Sequence, residues 1–144
     1  MRIGVFGLGI ELTGLVNKLH MVTRSIFNPL AKALELEKLL KEDKKCDIGI
    51  CLSHLGYRYS AKKISEVVLA KSTNYIDLII GGHTHTFLDK PESVRNLKGK
   101  ETLINQVGFA GINLGRIDFF FKRSDSQKIS FSSATEEVKP IIKI

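Results

Sequence analysis

Three short apolar runs punctuate the first part of the chain: Arg2 to Leu8, Cys46 to Leu52 and Tyr75 to Ile80. Each is rich in Ile, Val and Leu and ends at glycine or a polar turn, the pattern of a strand covered on both faces. The stretch from the end of the first run to Ile26 has no clean period and reads as loop with one turn of helix at most. Asn28-Pro29 then marks a helix start: the asparagine side chain can accept from first-turn amides, and proline at the first helical position sacrifices no hydrogen bond. Leu30, Ala33, Leu34 and Leu40 follow at helical spacing, with Lys32, Glu35, Lys38 and Glu42 toward water, until the charges at Lys41 to Lys45 end the pattern. A second helix is expected after Ser60, with Ile64, Val67 and Val68 as its apolar stripe and Lys62, Lys63, Glu66 and Lys71 exposed. The resulting order is β-α-β-α-β. Helical crossovers between strands imply parallel pairing, so the class is α/β.

Beyond His85 the pattern changes. Pro91, Asn96 and Gly99 mark turns, while Thr102 to Val107, Asn113 to Lys122 and Gln127 to Phe131 read as short strands with no helix between them, an antiparallel meander. Residues 132–144 show no usable period, so the chain divides into a unit over 1–131 and a tail of unassigned structure.

A length of 144 residues with 43% apolar content suits one domain with one core. The apolar runs are all well short of the roughly 20 residues that cross a bilayer, so no membrane span is expected. The opening segment lacks the cleavage pattern of an export leader and is followed closely by Glu11, so it reads as a strand. Cys46 and Cys51 would lie on opposite faces of one strand and could not pair, which makes them core thiols. The net charge of +7 and pI near 9.5 are compatible with an anionic partner, but a solvated surface is the stronger reading. The lysines are scattered without aromatic interleaving, so nucleic acid is not the expected one.

Chemistry concentrates in the histidines. Of four, His54, His83 and His85 directly follow the second and third parallel runs, where open α/β sheets gather ligands. Imidazole is the commonest side-chain ligand of transition metals, and histidines from two neighbouring loops could share an ion. His20 has no such context. A lone histidine after a strand is more often an ordinary loop residue, and for His54 alone that reading would prevail. Gly81-Gly82-His83-Thr84-His85 is different, because two glycines and alternating histidines are a costly way to build a simple turn. Gly7-Leu8-Gly9 after a strand suggests a dinucleotide-binding module only weakly, since Leu12 stands where the third glycine is required.

Ser53-His54-Leu55-Gly56, then Gly81-Gly82-His83-Thr84-His85 after Ile76-Asp77-Leu78-Ile79-Ile80, then the segment Asn105 to Asp118, resemble consecutive motifs of the calcineurin-like metallophosphoesterases, in their 5'-nucleotidase and UDP-sugar hydrolase branch. The resemblance runs from about Arg2 to Phe121. It implies the carboxy-terminal half of a catalytic domain, half of a β-sandwich with flanking helices, in which His54 and His83 serve one metal and His85 another. Asn105, Gln106 and Gly108 would lie near the site mouth. The implied cofactors are divalent ions, two in a complete domain, with zinc, manganese, iron, cobalt and nickel not distinguished. The implied substrate is a nucleotide or related phosphate ester, and the implied location is exported or periplasmic. The family's Asp-x-His, bridging Gly-Asp and Gly-Asn-His-Asp or -Glu patterns are absent from this sequence. Histidines without a bridging carboxylate cannot hold two cations close together. The expectation is therefore half a site, completed by an amino-terminal half or a second copy of the chain. The alternative is a non-catalytic truncated domain or a module binding a single metal.

Overall fold

A computed structural model describes residues 1–10, 28–61, 63–122 and 128–138. The elements in order are β1 (Ile3–Leu8), α1 (Pro29–Lys38), β2 (Ile48–Ser53), α2 (Glu66–Ser72), β3 (Leu78–Ile80), β4 (Glu92–Arg95), β5 (Glu101–Asn105), β6 (Asn113–Phe121) and β7 (Lys128–Glu137). The irregular stretch through Ile26 and His20 fall outside the described residues.

The helix starts follow local chemistry. Asn28 Oδ1 accepts from the amides of Leu30 and Ala31 at 3.0 and 3.2 Å, with Pro29 at the first helical position. That cap is worth about 1 kcal/mol. The helix ends in a π turn over Leu39–Asp43, closed by the Lys44 amide on the Leu39 carbonyl. Its inward face departs from the expected stripe: Ala33 and Glu37 are buried and Leu34 is exposed. The Glu37 carboxylate turns inward because it accepts from the amides of Asn74 and Tyr75 and from Asn74 Nδ2, tying α1 to the connection before β3. The second helix starts at Glu66, with Ser65 as its cap and not Ser60; Ser65 Oγ accepts from the Val68 amide. Glu66 is buried and Val68 exposed, the reverse of the expected stripe.

The main sheet has the order β1-β2-β3-β5-β4. β1, β2, β3 and β5 run parallel, and β4 pairs antiparallel with β5. The expected meander after His85 is thus corrected in part. β4 runs down the sheet edge, and β5 inserts between it and β3 as a further parallel strand. β4 escapes a reading of the sequence because only Val94 of its residues is buried. β6 and β7 form the antiparallel pair, in a separate sheet, and β7 continues past Phe131 to Glu137.

One sheet face is the core. Phe6, Leu8, Cys51, Ile79 and Ile104 pack there with Ala33 of α1 and Val67, Leu69 and Ala70 of α2, each large aliphatic side chain contributing roughly 1.5–3 kcal/mol. Cys46 and Cys51 are buried, free thiols, although Cys46 precedes β2 instead of lying within it. The opposite face is covered only in part: Ile48, Leu78 and Leu103 are buried there. Register places Ile3 beside Ile48, Val5 beside Ile50 and Leu52 beside Ile80, and there Ile3, Val5, Leu52 and Ile80 remain 53%, 51%, 48% and 47% exposed.

Candidate functional site

Parallel pairing of β2 with β3 brings the turns at their carboxyl ends side by side. The His54 amide donates to the Leu8 carbonyl at the end of β1, holding the first turn on the sheet. His54 and His83 meet edge to face, with ring centroids 5.1 Å apart and planes at 68°. Gly82 makes room for this: a Cβ there would stand 3.2 Å from His54 Nδ1. The backbone that delivers the imidazoles is strained, since His83 and His85 both adopt positive φ, 76° and 53°. A side chain in this region costs on the order of 1 kcal/mol, and such residues cluster at functional sites.

His85 does not join the pair. Its ring stacks on Phe109 at 4.9 Å, and Phe109 in turn meets Phe87. Among the described residues no three His, Cys, Asp or Glu side chains converge as a metal-binding group. The His83 imidazole is held below its usual pKa, first by desolvation and then by the nearby charges of His54, Lys63 and His85. A neutral imidazole keeps a lone pair for a ligand. Lys63 sits over the Tyr59 ring, Nζ 4.7 Å from its centroid, and the Tyr59 hydroxyl donates to the Leu55 carbonyl beside His54.

Beneath the histidine loop lies a polar network. Glu66 is 0% exposed. Its carboxylate accepts from the Gly82 amide at 3.1 Å and from Gln106 Nε2 at 2.9 Å. Burial pushes the Glu66 carboxyl above its ordinary pKa, against hydrogen bonds from Gln106, the Gly82 amide, Ser53 and Gly56 that favour the charged form. Gln106 also donates to the Gly82 carbonyl at 2.7 Å, and its Oε1 accepts from the Thr86 amide and the Thr84 hydroxyl. Gln106 therefore underlies the loop as a buried support. Asn105 is buried beside it, and among the described residues its Oδ1 has no hydrogen-bond partner. Gly108 takes positive φ, and a Cβ there would enter the Phe87 ring. Glu66 was the residue a sequence reading placed in water. Its spacing carried the signal, because Leu69 and Ala70 lie three and four positions on and share its helical face.

Fold and site together describe an α/β domain with an imidazole pair at the ends of adjacent parallel strands. No protein-family model matches the chain. It is 36% identical over 121 residues to the trifunctional nucleotide phosphoesterase protein YfkN of Bacillus subtilis (strain 168), covering 83% of this chain and 8% of that protein. To a 5'-nucleotidase of Vibrio vulnificus (strain CMCP6) it is 25% identical over 163 aligned positions, covering 100% of this chain and 30% of the relative. A solved 5'-nucleotidase precursor from Thermus thermophilus shares the fold, with TM-score 0.67 and 24% identity over 77% of this chain and 23% of that one. The chain thus spans a minor part of the proteins it matches. The resemblance drawn from its motifs stands: over that part it is related to the 5'-nucleotidase branch of the metallophosphoesterases.

Proposed function

We propose that this chain is the histidine half of a metal-dependent phosphoester hydrolase that acts on nucleotides or related phosphate esters. The observation that carries the reading is the contact between His54 and His83 at the ends of β2 and β3. The donor set fits a first-row divalent ion in part: two imidazoles on one side, among the described residues no carboxylate to bridge to a second ion, and His85 held apart on Phe109. In this reading His54 and His83 hold one ion and His85 serves a second. The stack on Phe109 covers a face of the His85 ring and leaves free of that contact the ring edge, where its nitrogens lie. When bound, divalent ions supply Lewis acidity and a hydroxide nucleophile. The chain's own contributions are the neutral His83 imidazole, the buried support under its loop, and the Lys63 charge, which favours an anionic substrate. An exported setting belongs to the same proposal.

The second reading, a non-catalytic domain or single-metal module, is favoured by the absence of a third converging ligand among the described residues. One assay separates the two. The chain alone, with manganese, zinc or cobalt, is tested on nucleoside monophosphates and a chromogenic phosphate ester. A version complemented by a segment carrying Asp-x-His and Gly-Asn-His-Asp is run beside it. The expected result is no appreciable turnover by the chain alone and metal-dependent turnover by the complemented protein, lost in His83→Ala. Full turnover by the chain as a monomer would overturn the half-site reading. Metal binding without turnover in either version would establish the second.

A further inference from the structure

We propose that Glu66 is a positioning residue: with Gln106 it forms a buried brace that holds the loop from Gly81 to Thr86 in the conformation that sets His83 against His54. The inference deepens the hydrolase reading and rests on it for its metal-binding consequence alone.

Glutamate is among the residues least often buried, and a buried carboxylate persists where several donors satisfy it. The donors of Glu66 come from the parts of the site that must be aligned. Its Oε1 takes the Gly82 amide, and its Oε2 takes Gln106 Nε2. The same Gln106 nitrogen reaches the Gly82 carbonyl at 2.7 Å. Both peptide groups flanking the Gly82 Cα are therefore pinned, and the second leads directly into His83 with its positive φ. Gln106 Oε1 holds the Thr86 amide at 2.8 Å and the Thr84 hydroxyl at 3.2 Å. Pinned residues thus alternate with the histidines along the loop. The Glu66 backbone extends the brace to the other histidine, because its amide donates at 2.9 Å to Gly56, in the turn that bears His54. Thr84 crosses between the turns as well, its Oγ1 accepting from the Tyr57 amide at 3.0 Å. Gly81 packs so closely on the carboxylate that a Cβ would collide with it. An apolar side chain of the same volume could fill the space beneath the loop, but it could not hold a peptide group by its amide. Residues that orient metal ligands typically change affinity by about 10- to 100-fold when removed.

The test uses the full chain and the variants Glu66→Met, Glu66→Gln and Gln106→Met, compared by NMR under conditions where circular dichroism shows each to be folded. In Glu66→Met the contacts between the His54 and His83 rings should be lost, and exchange of the Gly82 amide should rise about tenfold, as for loss of one buried hydrogen bond. Glu66→Gln, which keeps an acceptor for Gly82, should fall between this variant and the wild type. A merely stabilising role would lower the melting temperature and leave the ring contacts in place. Unchanged ring contacts and Gly82 exchange in folded Glu66→Met and Gln106→Met would overturn the brace. Should Glu66→Met not fold, Glu66→Gln and Gln106→Met decide by the same readouts. A cobalt titration followed through the imidazole nitrogens forms the second arm. Wild type should bind through His54 and His83, and Glu66→Met at least about tenfold more weakly, with partial rescue in Glu66→Gln. Absence of cobalt binding by wild type would defeat the metal reading, while the first arm still decides the brace.

Discussion

Cys51 shows how far one side chain's chemistry is set by its surroundings. It lies in the middle of β2, fully buried, and its thiol is pushed up to about 12, first by burial and then by the nearby Glu66 charge. In the unfolded chain the thiol ionises near its ordinary value of 9.0. The folded pKa is the higher of the two, so the stability tied to this group is fully present below the unfolded pKa. It is lost as pH rises from there through the folded value. The thiolate is the reactive form, so Cys51 should resist alkylation at pH 8 while the chain is folded. Mass spectrometry after iodoacetamide treatment, with and without denaturant, checks this. Labelling of the native chain at the denatured rate would refute it.

Among the elements, the connection from β3 into the histidine loop is tightly constrained. Gly81 meets the Glu66 carboxylate where a Cβ would stand, whereas among the described residues nothing lies within 4 Å of a Cβ built at Gly9. Gly81→Ala should therefore destabilise the chain by about 1–3 kcal/mol, the usual cost of overpacking. Gly9→Ala should stay within about 0.5 kcal/mol of wild type. Urea unfolding of both variants measures the difference, and equal midpoints would show that the loop yields without cost. Local signals made some elements legible. Asn28-Pro29 announced α1, and Gly81-Gly82 announced the turn after β3. β4 left no such mark because one buried residue, Val94, makes no period. The start of α2 was misread for a related reason: Ser60 and Ser65 are equally good caps in isolation, and the choice between them is made by packing.

For the molecule as a whole, the dominant feature is the sheet face opposite the helices. Parallel sheets are ordinarily covered on both sides, and contiguous apolar patches of this kind mark surfaces that another layer covers. Ile3, Val5, Leu52 and Ile80 form such a patch across β1, β2 and β3. The chain by itself should self-associate with rising concentration and bind a hydrophobic dye. The double variant Val5→Lys, Leu52→Lys should shift it toward monomer while leaving the helices intact. Sedimentation velocity over a range of concentrations, with circular dichroism as the control, reads this out. A wild type that stays monomeric and does not bind dye would count against a second layer on this face. Among the described residues no helix is long and apolar enough to cross a membrane.

The sequence alone determined the features that depend on neighbours along the chain: the apolar runs of β1, β2 and β3, the cap at Asn28, and the placement of His54, His83 and His85 after strands. These follow from short-range periodicity and turn chemistry, which act within a few residues. The tertiary structure alone decided that β5 lies parallel between β3 and β4, that His54 meets His83 while His85 turns to Phe109, and that Glu66 faces inward under the loop. Each of these depends on groups far apart in the chain, such as Glu66 with Gln106. Their energies appear only when strand register brings the groups together, so nothing in the local pattern could express them.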